Sequence, residues 1–125
     1  SEEMFRKAIE LRPNDPLIWT DLGKLYRNAN DYQKSEDAFK RSIELNPTES
    51  TTYSYGLGYL YLQQKRFDDA ERLFKKAYEL DPDLEINIYG LADLYREKGE
   101  YALSEKYFTL TLDRYPTSEA LHGFG

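Results

Sequence analysis

The chain has no cysteine, and only one histidine, one methionine and one tryptophan among its 125 residues. Without thiols it can build neither a disulfide framework nor a thiolate metal site. The lone histidine, His122, lacks the partners a zinc site requires and is read as an ordinary residue of a terminal helix. Basic residues number 17 against 23 acidic ones, giving a net charge of −6. A phosphate backbone would be repelled over most of such a surface, so no nucleic acid partner is expected. No apolar run approaches the roughly 20 residues needed to cross a bilayer, and no basic-then-apolar leader precedes a small-residue cleavage site. Membrane insertion is therefore not expected, and the chain should be soluble as it stands. Its pattern opens at Ser1 within one helix and stops at Gly125 within another, as expected of a piece of a longer protein.

Catalytic groupings are equally scarce. Acidic pairs such as Glu2-Glu3 and Asp68-Asp69 sit beside lysines and arginines on outward helix faces, the pattern of solvated charge. Gly56-Leu57-Gly58 has neither the strand nor the third glycine of a phosphate-binding loop. No nucleophile is matched to a base. The expectation is no enzyme, no cofactor and no metal.

Tyrosine, by contrast, is abundant, with 12 residues. Between positions 51 and 62, Tyr53, Tyr55, Leu57, Tyr59 and Tyr61 fall on alternate residues, the period of a strand. A longer period overrules this local one. Phe5, Phe39, Phe74 and Phe108 are spaced by 34, 35 and 34 residues, and Pro13, Pro47, Pro82 and Pro116 follow each by eight. Tyr26, Tyr61 and Tyr95 precede the later phenylalanines by thirteen, with Gly23, Gly58 and Ala92 three residues before them. Such a ruler marks a repeat architecture. Each unit holds two amphipathic segments of helical length, so residues 51–62 are expected to be helical. The one extra residue lies between Pro47 and Gly58 and is assigned to a turn, where insertions are tolerated.

Local signals agree with helices. Asn14-Asp15-Pro16 is a helix start, and Thr48 and Asp83 are expected to cap the later units. Gly99 and the Asn30-Asp31 bend read as stops. Prolines close each second helix because they cannot continue the hydrogen-bond ladder. Gly56 and Gly90, costly within helices, imply close approach by a neighbouring helix or a ligand backbone, helix packing being the favoured cause.

These residues resemble the tetratricopeptide repeat family. Trp19, Leu22, Gly23, Tyr26, Tyr32, Phe39 and Pro47 carry the pattern in the first full unit. Leu57, Gly58, Tyr61, Phe67, Ala70, Phe74, Ala77 and Pro82 carry it in the second, and Leu91, Ala92, Tyr95, Tyr101, Phe108 and Pro116 in the third. Departures are Ser54 and Ile88 in the tryptophan position, and Ser35, Ser104, Ser42 and Thr111 where alanine is usual. The resemblance implies an all-α solenoid of antiparallel helix pairs, with about three full repeats plus half repeats at both ends. Residues 1–13 would be the second helix of a preceding repeat. The full repeats would span 16–50, 51–84 and 85–117, and 118–125 would begin a further one, all in one domain.

The resemblance also implies a concave face lined by the first helices, receiving a peptide or helix of a partner protein. By offset the first unit contributes Leu17, Thr20, Lys24, Arg27 and Asn28. The second contributes Thr52, Tyr55, Tyr59, Leu62 and Gln63, and the third Ile86, Tyr89, Asp93, Arg96 and Glu97. This groove is basic at one end, aromatic in the middle and acidic at the other, with Tyr55, Tyr59 and Tyr89 as its anchors. The basic clamp with which some relatives grip a carboxyl terminus is absent, because its offsets hold Thr20, Lys24, Gly56, Ile86 and Gly90. The alternative is a structural spacer, or self-association head to tail through open repeat ends at Phe5, Ile9, Leu121 and Phe124.

Overall fold

The structure, a computed structural model, describes residues 2–116, with side chains from Glu3 onward. Its helices are α1 (Glu2–Leu11), α2 (Pro16–Asn28), α3 (Tyr32–Leu45), a π-helical stretch π1 (Thr52–Gly58) running into α4 (Tyr59–Gln63), α5 (Phe67–Leu80), α6 (Glu85–Lys98) and α7 (Tyr101–Arg114). No strand occurs among the described residues. Short turns fold α2 onto α3, π1 and α4 onto α5, and α6 onto α7, and each pair packs on the next.

The repeated phenylalanines hold the layers together. Phe39 and Phe74 are fully buried. Each ring lies between two glycine backbones, one from its own unit and one from the next. A Cβ built on Gly58 would stand 2.8 Å from Phe74 Cε1, and one on Gly90 only 2.5 Å from Phe74 Cδ1. Helix packing thus accounts for the mid-helix glycines. Ser35 and Ser104 donate to the carbonyls of Gly23 and Ala92 at 2.7 and 2.9 Å, so these hydroxyls bond within the close contact that alanine would make.

A second ladder runs along the junctions. Glu36 accepts from Tyr61 of the next unit at 2.9 Å and pairs with Lys40 and Arg66. Glu71 repeats this with Tyr95 at 2.8 Å, Lys75 at 3.0 Å and Lys98 at 3.1 Å. Burial works to raise the Glu71 carboxyl, but the hydrogen bonds from Lys75, Tyr95 and Lys98 prevail and carry it down to about 2.

The extra residue of the second unit is not in a turn. Helical backbone begins three residues after the proline in each unit, at Pro16, Ser50 and Glu85. From there to the small residue is seven positions for Gly23 and Ala92 but eight for Gly58. The helix itself absorbs the insertion, as π1. Two further assignments change with it. Trp19 Nε1 donates to the Pro13 carbonyl at 3.0 Å, and the Tyr53 hydroxyl reaches the Pro47 carbonyl in the same way at 2.8 Å. Tyr53, not Ser54, therefore stands in the tryptophan position. Ser54 turns into the junction and donates to Asn87 Oδ1 at 2.7 Å, while Asn87 Nδ2, itself fully buried, donates to Ser50, Ala77 and Asp81.

Asp15 caps α2 by accepting from the Leu17 amide at 3.0 Å. Thr48 and Asp83 do not cap. The Thr48 hydroxyl donates to Asn46, and Asp83 accepts from Arg114 instead of from the α6 amides. Gly99 ends α6 in the left-handed region with φ 85°; Asn30 and Lys65 adopt the same backbone at the matching bends, with φ 61° and 59°.

Candidate functional site

Helices α2, π1 with α4, and α6 lie side by side and present one face of each unit. On that face Tyr55 separates two adjoining hollows. The first, about 380 Å³, is lined by Thr20, Lys24, Phe39, Thr51, Tyr55, Gly56 and Ile86. The second, about 410 Å³, is lined by Arg27, Tyr55, Tyr59, Gln63, Ile86, Tyr89 and Asp93. Most of their walls are ring and aliphatic carbon, with charged groups at the edges.

Tyr55 is 46% exposed and is held by cations from the preceding unit. The Lys24 ammonium lies 5.5 Å from its ring centre and the Arg27 guanidinium 5.1 Å. Arg27 also donates to the Tyr55 carbonyl at 2.5 Å and the Gly56 carbonyl at 3.3 Å. Burial lowers the Arg27 pKa from its ordinary value, yet the group stays charged at neutral pH.

Tyr59 stands edge-on to Phe74 at 5.1 Å and to Tyr55 at 6.3 Å. Burial pushes its phenol well above the usual range, and the nearby Asp93 carboxylate acts in the same direction. Burial also raises Asp93, opposed by Arg96, with which it forms an ion pair. Tyr89 packs on Phe108 at 5.5 Å. Tyr59 and Tyr89 are thus part of the junction packing as well as of the lining of the second hollow.

Of the sequence-derived lining, Lys24, Arg27, Tyr55, Tyr59, Gln63, Tyr89 and Asp93 border the hollows, as do Thr20 and Ile86. Asn28, Arg96 and Glu97 are exposed beyond the hollows. Arg96 pairs with Asp93 and lies 3.9 Å from Glu97, so the acidic end is partly neutralised from within. Leu17 is exposed outside them too. Thr52 and Leu62 are corrections. They are only 3% and 9% exposed and face the interior. Thr51 takes the place given to Thr52, because it follows the helix start by one residue as Leu17 and Ile86 do. Locating the insertion inside the helix would have identified it. Among the described residues Lys24 and Arg27 form no ion pair with an acid, which leaves that end positive.

Phe5 and Ile9 are half-buried, and Ile9 shares a hollow of about 170 Å³ with Arg6, Leu22 and Tyr26. Leu121, Phe124 and His122 lie outside the described residues. Among the described residues no group of three or more His, Cys, Asp or Glu could hold a metal ion, and no helix is long and apolar enough to cross a membrane.

Comparison with known proteins adds relatives. The mouse (Mus musculus) protein O-mannosyl-transferase TMTC3 is 36% identical over 103 residues, which is 82% of this chain and 11% of that protein. The peroxisomal targeting signal receptor of Candida albicans is 33% identical over 46 residues, 37% of this chain and 8% of that one. The chain therefore spans about a tenth of the length of these relatives. Among solved structures, MamA superposes with a TM-score of 0.81 at 23% identity, covering 94% of this chain and 68% of its own. YrrB, described as a TPR protein with an unusual peptide-binding site, gives 0.77 at 21% identity, covering 90% of this chain and 57% of its own. These two likenesses are of fold. Models of the tetratricopeptide repeat match residues 1–50, 20–85 and 61–124. With the 34-residue ruler, the helix pairs and these matches in agreement, the chain belongs to the tetratricopeptide repeat family.

Proposed function

We propose that the chain is a protein-interaction module that receives an extended segment of a partner protein along the face built by α2, π1 with α4, and α6. One observation carries this reading: Tyr55 stands half-exposed between two hollows, its ring braced by Lys24 and Arg27. A braced aromatic ring offers apolar area and a hydroxyl with little rotamer entropy left to lose. Side chains two residues apart on an extended peptide point the same way, at roughly 7 Å spacing, which suits two pockets divided by one ring.

Charge selects the peptide. The first hollow combines an apolar floor of Phe39, Gly56 and Ile86 with the Lys24 ammonium, the hydroxyls of Thr20 and Thr51 being already engaged by Ser42 and Glu49. An acidic side chain fits there. The second, walled by Tyr59, Tyr89 and Ile86, takes an apolar or aromatic one. Electrostatics would set orientation and association rate more than affinity.

The test is selection of peptides from a displayed random library on the parent chain, followed by measured affinities for Tyr55→Ala and Lys24→Glu. Tyr55 is the cleaner choice than Tyr59, whose loss would also remove packing on Phe74. Tyr55→Ala should weaken the selected peptides by ~1–3 kcal/mol, and Lys24→Glu should reverse the acidic preference. Failure to select any peptide, or equal binding by parent and both variants, would remove this function.

A further inference from the structure

The insertion in the second unit has a dedicated partner in the first. In an α-helix the Tyr59 amide would donate to the carbonyl four residues back, that of Tyr55. Here it donates to Ser54 and Gly56 instead. The Tyr55 and Gly56 carbonyls both receive the guanidinium of Arg27, across the junction from α2. The same guanidinium covers the faces of Tyr55 and Phe39, at 5.1 and 5.6 Å from their ring centres.

The third unit supplies an internal control. Its first helix, α6, is uninterrupted. The residue one unit after Arg27 is Leu62, which follows Tyr61 as Arg27 follows Tyr26 and has no donor to offer Tyr89 or Gly90. The donor is present where the turn is widened and absent where it is regular. π-helical turns of this kind inside α-helices are met frequently at functional sites.

We infer that Arg27 is the positioning residue of the groove: it holds the widened turn by bonding the carbonyls of Tyr55 and Gly56, and so fixes the Tyr55 ring as the wall between the two hollows. Its value to binding rests on the function proposed above, but its action on the turn does not. A lysine in its place reaches one carbonyl and leaves the ring less constrained, because an ammonium is a point charge without the planar fork.

The experiment compares the parent chain with Arg27→Lys, Arg27→Met and a deletion of Ser54, the last alone and combined with Arg27→Met. Backbone carbonyls of tyrosine and glycine are labelled with carbon-13. In Arg27→Met the Tyr55 and Gly56 carbonyl resonances should move while those of Tyr89 and Gly90 stay, and Arg27→Lys should restore part of the shift. Arg27→Met should lower the thermal midpoint of the parent and leave the Ser54 deletion nearly unchanged, since there is no widened turn left to hold. Tyr55 and Gly56 resonances indifferent to Arg27→Met, or equal losses of midpoint in both backgrounds, would overturn the inference. Should the deletion not fold, the carbonyl resonances decide alone. No peptide is used, so this failure is separate from that of the binding function, which shows as a parent chain that selects nothing.

Discussion

Replacing Gly90 by alanine reverses the usual effect of that substitution in a helix. At an unconstrained interior site alanine stabilises a helix by ~0.5–1 kcal/mol, because glycine loses more backbone freedom on folding. At Gly90 the new methyl would lie 2.5 Å from Phe74 Cδ1 and 2.6 Å from Cε1. The ring cannot retreat, since on its other side a Cβ at Gly58 would already stand 2.8 Å from it. Overpacking of this kind costs ~1–3 kcal/mol, so subtracting the propensity gain leaves a net loss of up to ~2.5 kcal/mol. For a domain of this size that is a fall of up to roughly 10 °C in thermal midpoint. Thermal and urea unfolding followed by circular dichroism measure it, and Phe74→Leu in the Gly90→Ala background should recover part of the loss by freeing space. A Gly90→Ala chain more stable than the parent would refute the close-contact account of the repeat junction.

Truncation of the same ring, Phe74→Ala, empties the layer between two units and should cost ~3–5 kcal/mol, read as loss of the cooperative unfolding transition; an unchanged midpoint would contradict it. Glu71 is depressed to about 2 from an ordinary 4.5, so its contribution is fully present above about pH 4.5 and is lost as the pH falls toward 2. Glu71→Gln should therefore lower stability at pH 7 by about 1–2 kcal/mol, a figure discounted for partial exposure, and remove that part of the acid sensitivity. Lys65, with φ 59° at a bend where the other units use asparagine and glycine, is strained by its Cβ. Lys65→Asn should raise the urea midpoint by the equivalent of ~0.5 kcal/mol.

The fold was legible because its signals are periodic and redundant. Four phenylalanines, four prolines and three tyrosines kept one ruler, and Phe39 and Phe74 are the buried layers that this spacing requires. The insertion was countable but not locatable. Residue intervals are the same whether one residue lengthens a turn or widens a helix, and only the Tyr53 bond to Pro47 and the start of helix at Ser50 separate the two cases. Counting back from Gly58 therefore put Ser54 in the tryptophan position and Thr52 on the groove, each one residue late. Leu62 differs for another reason: it shares the offset of Arg27, but as an apolar residue it joins the hydrophobic core. Caps at Thr48 and Asp83 rest on residue type alone, whereas Asp83 is engaged by Arg114 at the far end of α7. The role of Arg27 left no signal in the sequence beyond its charge, because its partners are backbone carbonyls.

The central claim is that a partner segment lies across Tyr55 on the inner face. Titrating the isotopically labelled chain with a library-selected peptide bearing an acidic residue, and following amide and methyl resonances, tests it directly. The account predicts that the largest shifts cluster at Lys24, Thr51, Tyr55, Ile86 and Tyr89. Shifts concentrated on the outward faces of α3, α5 and α7, with those five residues unmoved, would contradict it.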